Sequence, residues 1–177
     1  MRKLVLVIAV AALAAPLAAL AADPPASEGP SPAQACAAER AAIGDALFRQ
    51  THGTNANKSN AFGKCVAQKA AQQQENHTNA ASECRAEQSD PNFAANHGGK
   101  TFELFYGTGN GKNAFGKCVS GKAKAENQAE NTAEINAAKK CKSERALDPA
   151  AFKAKYGTNR TKSNAFGKCV AKTAKQP

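Results

Sequence analysis

The chain has 177 residues, a formal charge of +10 and six cysteines. One apolar run, residues 4–20, approaches the ~20 residues needed to cross a bilayer, and it stands at the very start, so a polytopic membrane protein is excluded. The basic balance points to anionic partners such as wall polymers, anionic lipid surfaces, nucleic acid or acidic proteins.

Met1-Arg2-Lys3 is a short positive stretch ahead of the apolar run, and Ala19-Leu20-Ala21 offers small residues for cleavage. This pattern predicts a secretory signal peptide over residues 1–21. Its removal takes away Arg2 and Lys3 and leaves 22 basic against 14 acidic side chains, a net +8. Nothing after it is apolar enough to span a membrane, so the expected location is secreted or envelope-associated. In that setting six cysteines predict disulfides.

Residues 22–32 carry four prolines and a glycine and read as a flexible leader. Ser31-Pro32 then has the form of an N-cap followed by proline at the first helical position. A helix is expected from there to about Gln50, with Cys36, Ile43 and Leu47 near one face and Gly53 as a left-handed C-terminal cap.

Residues 60–66 read Asn-Ala-Phe-Gly-Lys-Cys-Val, and the same seven residues return at 113–119 and 164–170. Each copy follows a related turn: His52-Gly53-Thr54-Asn55, Tyr106-Gly107-Thr108-Gly109 and Tyr156-Gly157-Thr158-Asn159. Phe48, Phe102 and Phe152 precede those turns by four residues, and Cys36, Cys84 and Cys141 lie upstream. The chain is therefore three versions of one unit: repeat one over 33–67, repeat two over 82–120 and repeat three over 139–177, with connectors at 68–81 and 121–138. In each heptapeptide the asparagine is expected to cap a helix, and the phenylalanine, cysteine and valine share a face. The glycine, costly inside a helix, suggests close approach of another backbone.

The connectors are rich in Ala, Gln, Glu, Lys and Asn and hold almost no large apolar residue; from Lys122 to Asp148, the second connector and the start of repeat three, Ile135 and Leu147 are the large aliphatics. They read as exposed helices, open to fraying at 72–81. If Cys65 and Cys84 share one such helix, nineteen residues separate them by roughly 28 Å, while a disulfide needs Cα atoms within about 7 Å. Pairing inside each repeat is thus the expectation: Cys36 with Cys65, Cys84 with Cys118, Cys141 with Cys169. Asp148-Pro149 and Asp90-Pro91 mark helix boundaries, and repeat two carries an insertion around Asn96, His97, Gly98, Gly99 and Lys100.

Glu39, Glu87 and Glu144 each stand three residues after the first cysteine of a repeat, and Lys64, Lys117 and Lys168 each precede the second. These sets read as a recurring charged site beside the disulfide or, more simply, as ion pairs between stapled helices or solvated side chains. Lys58, Lys112 and Lys162 lie just ahead of helix N-termini, where free N–H groups and the helix dipole favour anions. The six lysines form the candidate anion-contact set. Residues 107–113 fail the spacing of a phosphate loop, and cysteines some thirty residues apart without paired histidines are no zinc pattern. No catalytic set repeats, and no cofactor or metal site is expected; a site used once would fall in the insertion, near His97.

The string Phe152-x-x-x-Tyr156-Gly157-Thr158-Asn159 leading to residues 164–170 resembles a repeat of secreted bacterial proteins to which no activity is attached. The resemblance covers most of the mature chain and implies export and repetition, with no binding residues. Repeat two departs from it at Gly109 and in its insertion. The expected architecture is mainly α: three disulfide-stapled helical-hairpin units joined by long exposed helical connectors. The expected function is non-enzymatic binding of anionic envelope or extracellular polymers through several weak sites, with a secreted enzyme or a nucleic-acid binder as the alternatives.

Overall fold

The computed structural model describes residues 29–176; the expected signal peptide and the first part of the leader lie outside the described residues. Helix α1 (Pro32–Ile43) opens as its sequence demands. The Ser31 hydroxyl accepts from the Gln34 N–H, the Gln34 side chain accepts in return from the Ser31 N–H, and Pro32 fills the first helical position. The single helix expected as far as Gln50 is broken at Gly44, whose φ of 87° and ψ of 152° are closed to other residues. The chain resumes as α2 (Asp45–His52), and the bend sets Phe48 into the core.

The other elements are α3 (Ala61–Gln88), α4 (Phe93–Asn96) and α5 (Phe102–Tyr106) of repeat two, α6 (Ala114–Leu147), α7 (Pro149–Tyr156) and α8 (Ala165–Thr173). Asp148 caps α7, accepting from the N–H groups of Ala150 and Ala151. Disulfides join Cys36 to Cys65, Cys84 to Cys118 and Cys141 to Cys169, each across Cα atoms 6.0 Å apart. Because α3 carries both Cys65 and Cys84 on one unbroken helix, a bond between them is out of reach.

Both connectors are continuous helices, and they pair. Lys69 binds Glu134, Asn76 binds Asn127 and Glu130, and Lys122 binds Glu83, so rising positions on α3 meet falling positions on α6 and the two helices run antiparallel. The outer faces are exposed; the strip between them buries Lys69, Asn76, Ala80, Ala123 and Asn127. Paired polar groups and alanine-on-alanine contact keep 72–81 helical, where weak helix formers alone would fray.

The antiparallel pair brings repeats one and three together at one end and leaves repeat two at the other. At the first end Ile43, Phe48, Ala137, Ala138, Phe152, Phe166 and Val170 pack around two disulfides. At the second, Phe93, Phe102, Val119 and Ala123 pack around Cys84 and Cys118. Among the described residues no helix is long and apolar enough to cross a membrane.

The turn glycines are present for a reason other than the left-handed cap expected of Gly53. Gly53, Gly107 and Gly157 have φ near −70° and extended backbone. What they require is space: a Cβ on Gly53 would lie 2.6 Å from the Arg49 carbonyl and one on Gly157 2.7 Å from that of Lys153. The close backbone approach expected at the heptapeptide glycine occurs at Gly167, which faces the Thr51 carbonyl of α2, whereas Gly63 and Gly116 have no such neighbour within 4 Å.

Candidate functional site

Each repeat closes its hairpin with one polar contact. The glutamate three residues after the first cysteine meets the residue that ends the lobe helix. His52 Nε2 is 2.8 Å from Glu39 Oε1, the Tyr106 hydroxyl donates to Glu87 Oε2 at 2.7 Å, and the Tyr156 hydroxyl donates to Glu144 Oε2 at 2.9 Å. The glutamates are therefore bonded across the stapled helices, but to His or Tyr rather than to Lys64, Lys117 and Lys168, all three of which are exposed.

The three contacts differ in depth. Glu39 and His52 are 2% and 8% exposed, and Phe48 packs on the imidazole at 4.8 Å between ring centroids. Lys122 joins the contact in repeat two, 3.0 Å from Glu87 and 2.9 Å from Glu83. Partial burial works against ionisation of Glu87, yet hydrogen bonds from Tyr106 and Lys122 outweigh it and hold its carboxyl below the usual range. Burial first and the Glu87 bond second push the Tyr106 hydroxyl up. In repeat three, Lys155 and then Tyr156 lower the Glu144 carboxyl.

Glu39, His52 and Cys65 offer ligand atoms within 4.8 Å of one another, and all three residues are buried. The Cys65 sulfur is held by Cys36, so it supplies no thiolate to a metal while the disulfide is intact. The set is a buried polar pair beside a disulfide. It borders a cleft of about 720 Å³ between repeats one and three, walled by Gln50 and Thr51, by Ala133 and Glu134 of α6 and by Lys168 and Lys175 of repeat three. That volume is in the range that takes small ligands or a polymer segment.

The lysines of the turns are less available than their positions suggest. Lys58 and Lys162 adopt left-handed backbone, φ 59° and 54°, and fold back so that each ammonium donates to the carbonyl of its own turn glycine, Gly53 or Gly157, at 2.8 Å. The heptapeptide asparagines are not side-chain helix caps. Asn60 Oδ1 accepts from the N–H groups of Thr54 and Asn55, and its amide donates to the Thr54 hydroxyl; Asn164 repeats this on Thr158 and Asn159. These side chains close the turn. In repeat two the turn is one residue shorter, Asn113 takes the left-handed position at φ 59°, and Lys112 is exposed. Lys64, Lys112, Lys117 and Lys168 thus remain as the exposed cations of the candidate set not bonded to their own turn; Lys162 is exposed but held by Gly157.

His97 is not the solvent-exposed loop histidine its Gly-rich context suggests. Its ring stacks on Phe93 with centroids 3.8 Å apart, its Nδ1 lies 2.8 Å from the Phe93 carbonyl, and Phe105 meets it edge-on at 4.6 Å. It holds the insertion together.

Sequence reasoning missed the glutamate–aromatic contacts and the cleft. A signal was present: the glutamate recurs at one position, and histidine replaces tyrosine at its partner position in repeat one alone. No protein-family model, curated protein sequence or solved structure matches this chain.

Proposed function

We propose that the protein is an exported, non-enzymatic cationic binding protein that holds an anionic envelope or extracellular polymer through several weak sites. The observation that carries this reading is the placement of Lys64, Lys117 and Lys168. Each is exposed on the same helical turn of an identical heptapeptide. The α3–α6 pair sets Lys117 at the opposite end from the other two, some 28 Å away at ~1.5 Å per residue over the nineteen residues between Cys65 and Cys84. Rigidly spaced weak sites gain avidity on a ligand long enough to span them. The cleft beside Lys168 and Lys175 gives one end a concave surface for a polymer segment, and three disulfides support an oxidising destination.

The test is co-sedimentation of the oxidised protein with isolated bacterial envelopes over a salt series. Saturable binding that fades with salt is the expected result. The combined Lys64→Glu, Lys117→Glu and Lys168→Glu variant should lose far more binding than any single change. Absence of binding at low salt, or equal losses from single and triple variants, overturns the reading. Preferential competition by DNA over wall polymer would assign the cationic surface to nucleic acid instead.

A further inference from the structure

Repeat two presents, unoccupied, both halves of a contact that repeats one and three make with each other. In that contact the heptapeptide turn of α8 lies on α2. Gly167 makes it possible: a Cβ there would stand 3.2 Å from the Thr51 carbonyl oxygen, 3.6 Å from the Thr51 Cα and 3.8 Å from the Gln50 carbonyl. The same turn in repeat two offers Gly116, which has no such neighbour within 4 Å, beside an exposed Lys117.

The receiving half is also open. Aligning the repeats on His52, Tyr106 and Tyr156 sets Gln50 and Thr51 of repeat one against Leu104 and Phe105 of repeat two and Ala154 and Lys155 of repeat three. Leu104 is 61% exposed and Phe105 45%. The receiving positions are therefore both large and apolar in repeat two alone, Leu104 exposed and Phe105 half-exposed with one side of its ring against Phe93, His97 and Tyr106. In repeat three Lys155 is bonded to Glu144, which makes that surface polar. The charges also change to suit: where repeat one has Arg49, repeat two has Glu103, exposed and opposite in sign to Lys117.

We propose that repeat two docks on repeat two of a second copy of this chain, the turn at Phe115, Gly116 and Lys117 of one copy resting on Leu104 and Phe105 of the other. Repeats one and three make this contact in one direction only, Gly63 having no neighbour within 4 Å. Two copies of repeat two set about a two-fold axis would make it twice, the turn of each on the helix of the other, and so close as a dimer, the commonest symmetry for association of identical chains. The joined ends of repeats one and three would then stand at the two extremes of the dimer. A matched apolar patch beside complementary charge is the usual composition of such an interface.

The test is sedimentation equilibrium of the oxidised protein over a concentration series. A reversible dimer is expected, weakened at least about tenfold, or ~1.4 kcal/mol, by Gly116→Leu or by Leu104→Glu. Gly116 has open space around it and leucine favours helix over glycine, so Gly116→Leu keeps the fold, which circular dichroism and thermal melting would verify. Gly63→Leu, at the matching position of repeat one, should leave the dimer unchanged. A monomer at all concentrations, or a dimer that both repeat-two variants leave intact, overturns the proposal.

Discussion

Asn76 Nδ2 stands 2.9 Å from Asn127 Oδ1 in the middle of the α3–α6 pair, with both residues buried and Glu130 accepting from the same amide at 2.7 Å. The pair stands one helical turn beyond Ala80 and Ala123, where the core of repeat two ends, so it fixes how two alanine-rich helices register on each other. Removing the Asn76 amide takes one hydrogen bond from Asn127 and another from Glu130 inside the buried strip. Asn76→Ala should cost about 1–3 kcal/mol in urea unfolding. Asn76→Leu with Asn127→Leu together should recover most of that stability while allowing the helices to slide. A spin-label distance between the two helices would then broaden in the double variant and stay sharp in the parent.

His52 supplies a second prediction. Its partner Glu39 is nearly fully buried, whereas Glu144 in repeat three is bonded to Tyr156 from a solvent-facing position. His52→Phe leaves the buried Glu39 side chain without its hydrogen bond, and about 1–3 kcal/mol is expected to be lost. Tyr156→Phe removes a comparable hydrogen bond where water can replace it, so its midpoint should move much less. His52→Tyr, which gives repeat one the residue of the other two, should restore part of the loss. Similar midpoints for His52→Phe and Tyr156→Phe in chemical denaturation would show that burial does not rank these contacts.

The parts of this fold that could be read from the sequence are those fixed by local chemistry. Ser31-Pro32 and Asp148-Pro149 start helices because capping is decided within a few residues. The disulfide expectation rested on the length of a helix that the composition already favoured. The pairing of α3 with α6 was not legible, because its buried strip is made of Lys69, Asn76, Ala80, Ala123 and Asn127, residues that carry no apolar period. The break at Gly44 was missed because glycine inside a helical pattern is often tolerated, and only the packing of Phe48 required the bend. Residue type alone marks the heptapeptide asparagines as caps; their bonds to Thr54 and Thr158 depend on the fold of a turn six residues upstream. The cleft belongs to two repeats far apart in sequence, and the antiparallel connectors alone bring them together.

Repeat two stands alone at its end of the connectors, so it should depend most on its own staple. Cys84 and Cys118 close the longest of the three loops, 34 residues apart, around a core of few side chains. Replacing both by alanine should cost ~3 kcal/mol and melt α4 and α5 first. Hydrogen exchange would register this as loss of protection at Phe102 and Tyr106 while α1 and α8 stay protected. Equal loss of protection at both ends would mean that the two cores fold as one unit.

The connector pair also contains a carboxylate whose ionisation opposes folding. Glu126 Oε2 is buried and bonded to no other atom of the described residues. Burial first, and the neighbouring charges of Glu83 and Glu130 after it, raise the Glu126 carboxyl above its ordinary value, against a smaller opposing effect of Lys122. A carboxyl with a higher pKa folded than unfolded destabilises the fold when ionised. The penalty is fully present above the folded pKa and absent below the unfolded one, since the unfolded chain then binds no fewer protons than the folded chain. Glu126→Gln should therefore raise the melting temperature at pH 7 by ~1–2 °C, which corresponds to ~0.5 kcal/mol in a chain of this length. The gain should shrink as the pH falls and vanish once the parent carboxyl is protonated in both states. Glu87 has the opposite sign: its carboxyl is held low, so its stabilisation is present above the ordinary carboxyl range and lost as the pH falls through the folded value. Glu87→Gln should accordingly lower the midpoint at pH 7 and flatten the acid limb of the melting profile. Midpoints that move in the same direction for the two glutamine variants at pH 7 would refute the assignment of opposite roles to these carboxylates.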